Sequence, residues 1–428
     1  MKQTEVGLIP DDWEVKRLEE VTINIGDGIH TTPKYTISGS SYFINGNNIK
    51  NGNIIIDAET KKVSYSDAKK YIFPISESTI LMSINGTIGN VAYYKNEPVV
   101  LGKSVAYFTT NKLISPIYLF YILQADEIKK QFENSLTGST IKNLGLATIR
   151  CTLIPTPPLP EQQRIAKALS DVDALISTTE KLIQKKKNIK QGTMQNLLTG
   201  KKRLPGFGPQ TKSPAYKQTE LGPIPEDWEV KNINKECTIK ARIGWQGLKS
   251  TEYLDSGDYI LVTGTDFDSG FINWNSCSYV TKWRFDQDKN IQIKQGDILI
   301  TKDGTIGKVA FLNEIPMQGT LNSGVFVIRP KNSDKIDSVF LSLIFKSFWF
   351  DSFLEQITSG STIVHLYQKD FVKFDFPLPS KEEQTAIANV LSSMDKEIET
   401  LNTKLEKYRN LKTAMMQQLL TGKIRLVE

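Results

Sequence analysis

The sequence predicts an α+β protein: two β-rich domains in a pseudo-twofold repeat, separated by an antiparallel coiled coil of two long helices. The first observation behind this prediction is a repeat. The segment from Gly138 to Leu204 recurs from Gly360 to Leu426 at a constant offset of 222 residues, and so long a repeat indicates two copies of one structural unit. The second observation is that apolar or small residues within each copy alternate at spacings of four and three, as in a coiled-coil seam.

The predicted seam consists of two matching sets of residues, one in each repeat. The sets are Ile165, Leu169, Val172, Ile176, Thr179 and Ile183, and then Ile387, Leu391, Met394, Ile398, Leu401 and Leu405. A helix from Glu161 to Leu198 would be roughly 57 Å long at 1.5 Å per residue. Its narrow apolar stripe needs a partner helix, and the other repeat is the simplest candidate. The alternative is one ordinary core helix in each of two compact domains.

A second repeated phrase opens each half of the chain. Residues 2–18 read KQTEVGLIPDDWEVKRL, and residues 217–233 read KQTELGPIPEDWEVKNI. Trp13 and Trp228 are interpreted as packing anchors, since a large aromatic residue beside proline more often packs than binds. Short β-strands broken by Gly, Asn and Ser follow in both halves, and a helical segment precedes each long helix.

The phrase GTIG occurs in both β-rich stretches, at Gly86–Gly89 and Gly304–Gly307. A phosphate-binding P-loop needs four residues between its glycines and a Ser or Thr after the lysine, and neither copy has that spacing. A turn that joins two strands is the preferred interpretation. The sequence also lacks the dinucleotide-binding, nucleophile-elbow and zinc-protease motifs.

The repeats predict five segments. The β-rich domains are residues 1–158 and 217–379, the spacer helices are residues 159–200 and 380–428, and residues 201–216 are a linker rich in Gly and Pro. The first helix ends in a basic run that includes Lys186, Lys190 and Arg203. This run is interpreted as a solvated helix face, with contact to phosphate or a partner protein as the alternative.

Composition limits the classes of function. The 428 residues carry a net charge of +6, which permits nucleic-acid binding without demonstrating it. Three distant cysteines and two histidines form no zinc-ligand spacing, and they favour a reducing compartment over a disulfide framework. With neither a membrane-length apolar run nor a signal-peptide core at the N-terminus, the expected localisation is cytoplasmic.

The Gly-x-Ile-Pro-x-x-Trp opening, the GTIG turn, the TGSTI phrase and the PLPEQQRIA helix entry resemble the specificity subunit of type I restriction-modification enzymes. The resemblance covers nearly the whole chain in both halves. The second copy departs slightly, because SKEEQTAIA replaces PLPEQQRIA and Ala386 stands where the first copy has Arg164. Gln162 still matches Gln384, and the heptad pattern continues.

The resemblance implies that each half holds one target-recognition domain followed by one spacer helix. The subunit itself would be non-catalytic and hold no cofactor. It would bind double-stranded DNA and dock two methyltransferase subunits that modify adenine N6 with S-adenosylmethionine. Motor-nuclease subunits, which use ATP and Mg²⁺, would join through them.

The residues support this reading independently. Two matched domains at opposite ends of an antiparallel helix pair suit two half-sites on DNA, about one helical turn or 34 Å apart. The loops of the two halves differ, for example GDGIHTTPK against GWQGLKSTE. If those loops read bases, the target is bipartite and asymmetric.

Polar and basic loop residues are the candidates for contact with DNA, because such side chains read base edges and bind phosphates. The candidates are His30, Thr31, Lys34, Asn45, Asn47, Asn48, Lys50 and Lys142 in the first half, and Trp245, Gln246, Lys249, Thr263, Thr265, Lys302 and His365 in the second. For both histidines a structural role is the alternative.

Two other classes of function remain open on the sequence alone. One is a self-contained DNA-modifying enzyme, which activity of the purified chain would reveal. The other is a coiled-coil scaffold without sequence specificity, which would bind every DNA sequence equally.

Overall fold

The computed structural model describes residues 1–136, 142–208, 215–358 and 365–427. The TGSTI phrase at 137–141, the start of its repeat at 359–364 and the linker residues 209–214 lie outside the described residues. The chain divides into two compact units. Unit 1 comprises Met1–Lys181 with Asn402–Glu428, and unit 2 comprises Leu182–Leu401. The boundaries between the units fall inside the two long helices.

Among its described residues, unit 1 contains thirteen short strands, five α-helices that begin within it and the end of the chain's last long helix. The fifth of the five helices continues into unit 2. The strands are β1 (Lys2–Thr4), β2 (Gly7–Ile9), β3 (Glu14–Arg17), β4 (Thr22–Asp27), β5 (Ser41–Ile44), β6 (Ile49–Lys50), β7 (Asn53–Ile54), β8 (Lys62–Val63), β9 (Thr79–Ser83), β10 (Val91–Tyr93), β11 (Val99–Leu101), β12 (Val105–Thr110) and β13 (Leu153–Thr156). The helices are α1 (Tyr65–Ala68), α2 (Pro116–Ile122), α3 (Asp126–Asn134), α4 (Leu146–Cys151) and α5 (Leu159–Leu198).

Unit 2 repeats this order of elements. Its strands are β14 (Tyr216–Thr219), β15 (Gly222–Pro225), β16 (Glu229–Asn232), β17 (Cys237–Ala241), β18 (Tyr259–Val262), β19 (Phe267–Asp268), β20 (Phe271–Ile272), β21 (Ser278–Val280), β22 (Ile298–Thr301), β23 (Val309–Phe311), β24 (Gly319–Leu321), β25 (Val325–Pro330) and β26 (Asp375–Leu378). Its helices are α6 (Ile233–Glu236), α7 (Lys282–Asp286), α8 (Ser338–Ile344), α9 (Phe348–Thr358), α10 (Gln368–Phe371) and α11 (Lys381–Leu419), the last of which continues into unit 1.

The sheets confirm that the two halves share one fold. A four-stranded sheet has the order β10-β9-β12-β4 in unit 1 and β23-β22-β25-β17 in unit 2, with every pair antiparallel. A three-stranded sheet has the order β11-β5-β8 in unit 1 and β24-β18-β21 in unit 2, with one parallel and one antiparallel pair. The helical segment that precedes each long helix is divided in two, α2 with α3 and α8 with α9.

The GTIG phrase forms the turn of a β-hairpin in each unit, between β9 and β10 and between β22 and β23. Gly86 and Gly89 have φ angles of 72° and 86°, and Gly304 and Gly307 have 68° and 78°. Residues with a Cβ rarely adopt this left-handed region, so the turn requires glycine. The interpretation as a strand-joining turn is therefore confirmed.

The helices α5 and α11 pack together, and within each unit they run antiparallel. In unit 1, Lys412 contacts Asp173 at 2.7 Å and Arg409 contacts Glu180 at 2.9 Å. In unit 2, Lys186 contacts Glu397 at 2.6 Å and Lys190 contacts Asp395 at 2.5 Å. In both units, residue numbers rise along one helix as they fall along the other.

The predicted seam positions lie on the inner side of this helix pair. Nine of the twelve are buried, and Ile176, Met394 and Leu401 are half-buried. Ile165 and Leu169 belong to the main core of unit 1, and Ile387 and Leu391 belong to that of unit 2. The helix pair is therefore continuous with the hydrophobic core in each unit.

In each unit, one arginine, two carboxylates and one tryptophan form a hydrogen-bonded cluster, called the latch, at the start of the long helix. In unit 1, Glu161 accepts hydrogen bonds from the buried indole of Trp13 at 3.0 Å and from Arg425 at 2.7 and 2.8 Å. Arg425 also forks onto Asp12 at 2.9 and 2.7 Å. Trp13 is fully buried, so its interpretation as an anchor is confirmed.

Unit 2 repeats the latch with Trp228, Glu383, Arg203 and Asp227. The Trp228 indole donates to Glu383 at 3.1 Å, and Arg203 binds Glu383 at 2.5 and 2.6 Å and Asp227 at 2.9 and 2.8 Å. Trp228 is also fully buried. In both latches the carboxylates raise the pKa of the arginine above its ordinary value. Arg203 of the basic run is thus a structural residue.

Candidate nucleic-acid interface

In unit 1, five turns meet at one end of the two sheets. The segment after β4 contacts the turn between β11 and β12. Ile29 pairs with Gly102 in an isolated bridge, and the Lys103 N–H donates to the Ile29 carbonyl at 3.0 Å. That turn also holds the segment after β5, where Ser104 donates to Asn45 Oδ1 at 3.1 Å. The N–H of Ile84 donates to Ser104 O at 2.9 Å, which brings in the segment after β9.

The segment that begins at Lys142 completes this cluster. The N–H of Gly86 donates to the Lys142 carbonyl at 3.3 Å, and Asn85 pairs with Asn143 in an isolated bridge. The cluster therefore gathers His30, Asn45, Asn47, Asn48 and Lys142, which are distant in sequence. Lys142 and Asn47 are exposed, whereas Asn45 and Asn48 are half-buried.

Several of the predicted side chains have structural partners at this end of unit 1. Asn48 Oδ1 accepts from the Asn45 N–H at 3.0 Å, and its amide donates to Ile55 O at 3.0 Å. His30 is exposed and lies 2.9 Å from Asp27 Oδ2. The amide of Asn48 thus shapes the turn and that of Asn45 ties it to Ser104, while Asn47 between them is exposed.

Thr31 and Lys34 connect the cluster to helix α1. The Lys34 N–H donates to Asp67 Oδ2 at 2.7 Å, and Thr31 Oγ1 lies 3.4 Å from Tyr71 Oη. Bonds from Lys70 and from the Lys34 backbone hold the pKa of Asp67 below its ordinary value. Lys50 lies apart on the β6–β7 hairpin, which contacts β10 through Gly52.

In unit 2, the corresponding turns also meet. The N–H of Asn322 donates to Val262 O at 3.0 Å, and the N–H of Lys302 donates to Gly324 O at 2.9 Å. The N–H of Leu366 donates to Lys302 O at 2.9 Å, and the imidazole of His365 contacts the carboxylate of Asp303. This arrangement brings Lys302 and His365 together.

Thr263 and Thr265 form the turn that corresponds to Asn45–Asn48. Asp266 accepts from the Thr263 N–H at 2.7 Å and from its hydroxyl at 2.9 Å, and the two threonine hydroxyls lie 2.7 Å apart. The geometry of the turn is the same as in unit 1, but hydroxyl and carboxylate groups replace amides. The same scaffold therefore presents different hydrogen-bonding groups in the two units.

The segment after β17 carries Trp245, Gln246 and Lys249. Lys249 is exposed, and for Trp245 only the backbone, in the turn Gly244–Gln246, is described. Gln246 is buried, and its Oε1 lacks a hydrogen-bond partner among the described residues. A buried acceptor without a partner is unusual and calls for a ligand or a rearrangement.

A buried arginine that the sequence analysis did not select holds this segment in place. Arg242 is 2% exposed and donates to Leu321 O at 2.8 Å and to Thr320 Oγ1 at 3.2 Å. Burial lowers the pKa of Arg242 below its ordinary value. Lys103 and Asn85 of the unit 1 cluster were also not among the predicted contacts, although Asn85 directly precedes the repeated GTIG phrase.

Within residues 1–136, 142–208, 215–358 and 365–427, no helix is long and apolar enough to cross a membrane. The same ranges contain no cluster of three His, Cys, Asp or Glu residues placed to hold a metal ion.

Comparison with known proteins identifies the family. The family model described as "Type I restriction modification DNA specificity domain" matches residues 10–191 and 225–407. A Methanocaldococcus jannaschii chain assigned as the type I restriction enzyme MjaX specificity subunit is 32% identical over 442 residues, with 99% of this chain and 96% of the relative covered. The MjaVIII specificity subunit of the same organism is 28% identical, with 98% and 94% covered.

A solved structure agrees with the fold. The crystal structure of the type I restriction-modification S subunit from M. genitalium has a TM-score of 0.58 at 16% identity, with 98% of both chains covered. This likeness supports the fold, and the matches of the family model and the relatives support the family. The chain therefore belongs to the family of type I restriction-modification DNA specificity subunits.

Proposed function

We propose that this chain supplies the DNA specificity of a type I restriction-modification complex and reads a bipartite, asymmetric target. The observation that carries the proposal is the pair of turn clusters, which share a backbone scaffold and differ in the groups they present. At equivalent positions of the corresponding turns, unit 1 exposes the amide of Asn47 and unit 2 exposes the hydroxyl of Thr265. Because different donors and acceptors recognise different base edges, the two half-sites differ.

The chemistry of the complex belongs to partner subunits in this proposal. Two methyltransferase subunits bind this chain and methylate adenine N6 with S-adenosylmethionine. Motor-nuclease subunits join through them and use ATP and Mg²⁺. This chain contributes recognition and positioning, and it binds none of these cofactors.

Each unit has a groove beside its long helix, and two such grooves support a count of two methyltransferase subunits. The groove of unit 2, about 390 Å³, lies between α5 and α9, and that of unit 1, about 140 Å³, lies between α11 and α3. The lining residues include Gln191, Met194, Gln195, Phe348 and Trp349 in unit 2, and Thr413, Met416, Gln417, Asp126 and Glu127 in unit 1. Met194 matches Met416 and Gln195 matches Gln417 at the repeat offset, so one kind of partner fits both places.

A map of N6-methyladenine tests the proposed function. DNA is sequenced from cells that express this chain together with its methyltransferase partner, and from cells that express the methyltransferase alone. We expect a split, non-palindromic motif that appears only when this chain is present. A palindromic motif would contradict the asymmetric target, and an unchanged map would favour a scaffold without specificity. Methylation by the purified chain alone would indicate a self-contained enzyme.

A further inference from the structure

An exposed tryptophan in unit 2 lies beside the segment that carries the predicted DNA contacts. Trp283, in the first turn of α7, is 66% exposed. The Arg284 guanidinium carbon lies 4.7 Å from the centroid of its ring. Trp283 thus presents most of its surface to solvent while a guanidinium packs against its ring.

The position of α7 is fixed by Arg284, which is itself largely buried. Its guanidinium forks onto Glu252 at 2.7 and 2.8 Å, donates to Gln287 at 2.9 Å and reaches Gln246 O at 3.4 Å. Backbone and Arg284 hydrogen bonds lower the pKa of Glu252. These bonds join α7, and with it Trp283, to the Gly244–Glu252 segment that carries Gln246 and Lys249.

Unit 1 has an exposed aromatic residue at the corresponding element. Helix α1 follows β8 as α7 follows β21, and both strands pair with the middle strand of the three-stranded sheet. Tyr65, in the first turn of α1, is 64% exposed, and the Lys69 ammonium lies 4.5 Å from its ring centroid. The bonds of Thr31 and Lys34 to this region attach α1 to the predicted DNA-contact segment, just as Arg284 attaches α7.

An aromatic ring beside a cation suits DNA, because the ring packs against sugars and base edges while the cation offsets phosphate charge. The link to predicted contact segments in both units favours DNA over a protein partner. We propose that Trp283 and Tyr65 are DNA-contacting residues, each for the half-site read by its own unit. This inference rests on the proposed function and adds two contacts to it.

Binding measurements test the role of Trp283 directly. The complex of this chain with its methyltransferase is titrated with duplex that carries the mapped target, at several salt concentrations. We expect Trp283→Ala to weaken binding about tenfold or more, with Trp283→Phe retaining most of the affinity. The salt dependence should not change, since no phosphate contact is removed. Phe271→Ala, which removes another half-exposed aromatic of unit 2 beside a lysine, is the control and should bind like wild type.

Radical footprinting of the wild-type complex gives a readout that no folding defect can affect. Target DNA should protect Trp283 and Tyr65 from oxidation and leave Phe271 unchanged. The inference is overturned if Trp283 is oxidised equally with and without target DNA, or if Trp283→Ala binds with unchanged affinity. In either case, specific binding by the wild-type complex leaves the proposed function intact. A wild-type complex that does not prefer its target would instead overturn the proposed function.

Discussion

At the scale of single residues, each unit depends on one arginine that joins distant parts of the chain. Arg425 bridges Glu161 and Asp12, and Arg203 bridges Glu383 and Asp227. Both glutamates are almost fully buried. A buried carboxylate is tolerated only when charged and polar donors satisfy it, so the latch is a point at which each unit is sensitive to substitution.

We therefore expect Arg425→Ala to destabilise unit 1 by about 3 kcal/mol, because Glu161 remains buried without its cation. Arg203→Ala should have a similar effect on unit 2. Hydrogen exchange, read peptide by peptide, measures the effect in each unit separately. The control is Arg409→Ala, whose pair with Glu180 is exposed and should contribute less than about 1 kcal/mol. Equal effects of Arg425→Ala and Arg409→Ala would contradict this account.

A second residue-scale prediction concerns Lys346, which lies in unit 2. Burial and, to a smaller extent, the nearby Lys190 lower its pKa to about 8, against an opposing effect of Asp395. Its ammonium donates to Gly270 O at 3.3 Å and lies over the Phe271 ring. Since the unfolded state then binds the proton more tightly, the free energy of unfolding should rise between pH 8 and 10.5, by at most about 1.4 kcal/mol per pH unit.

Denaturant unfolding across that pH range checks this expectation, with wild type compared to Lys346→Met. The variant keeps an unbranched side chain without the charge, so its stability should be higher at pH 8 and should lack this rise. The tyrosines whose pKa is raised by burial, such as Tyr118, act in the opposite direction above pH 10 and are common to both proteins. A rise of the same slope in both proteins would rule out Lys346 as its source.

At the scale of elements, the long helices were predictable, because a seam at spacings of four and three leaves a local pattern that needs no knowledge of partners. The roles of the side chains in the turns were less predictable. Asn45, Asn48 and Thr263 were chosen as base readers. The side chains of Asn48 and Thr263 bond within their own turns, and Asn45 Oδ1 accepts a hydrogen bond from Ser104 of the neighbouring turn. The chemistry that reads a base also caps a turn, so sequence alone does not separate the two roles.

Long-range partners and exposed aromatics were missed for a different reason. Arg203 looked like part of a basic run, and nothing near it in sequence reveals Glu383, 180 residues away. Trp283 and Tyr65 were not selected, because nothing in the sequence around them shows whether their side chains are buried or exposed. Their exposure follows from the tertiary fold and becomes visible only there.

The seam gives the prediction that belongs to this scale. Leu391 is fully buried in the core of unit 2, whereas Leu401 on the same helix is half-buried. Leu391→Ala should lower the free energy of unfolding by about 3 kcal/mol through the lost contacts and the cavity. Leu401→Ala has the same change in volume and helix propensity and should cost distinctly less. Urea titration compares the two, and equal costs would mean that the seam is not packed as described.

At the scale of the whole molecule, the internal duplication explains why each feature that the proposed function needs occurs once in each unit. Each unit has its own turn cluster, its own latch and its own groove beside a long helix. The grooves share Met and Gln at equivalent positions of the long helices but differ in their other lining residues, such as Phe348 and Asp126. A partner that binds both units is therefore expected to contact the long-helix side of each groove.

This arrangement predicts how many methyltransferase subunits each variant binds. Gln195 and Gln417 are exposed, so replacing either by Trp adds bulk to one groove without disturbing a core. We expect native mass spectrometry to give two methyltransferase subunits per wild-type chain, one for Gln195→Trp or Gln417→Trp, and none for the double variant. Thr178→Trp, at an exposed position of α5 that lines neither groove, should keep two. If both single variants also keep two subunits, the partner binds elsewhere; if either loses both, the two sites are not independent.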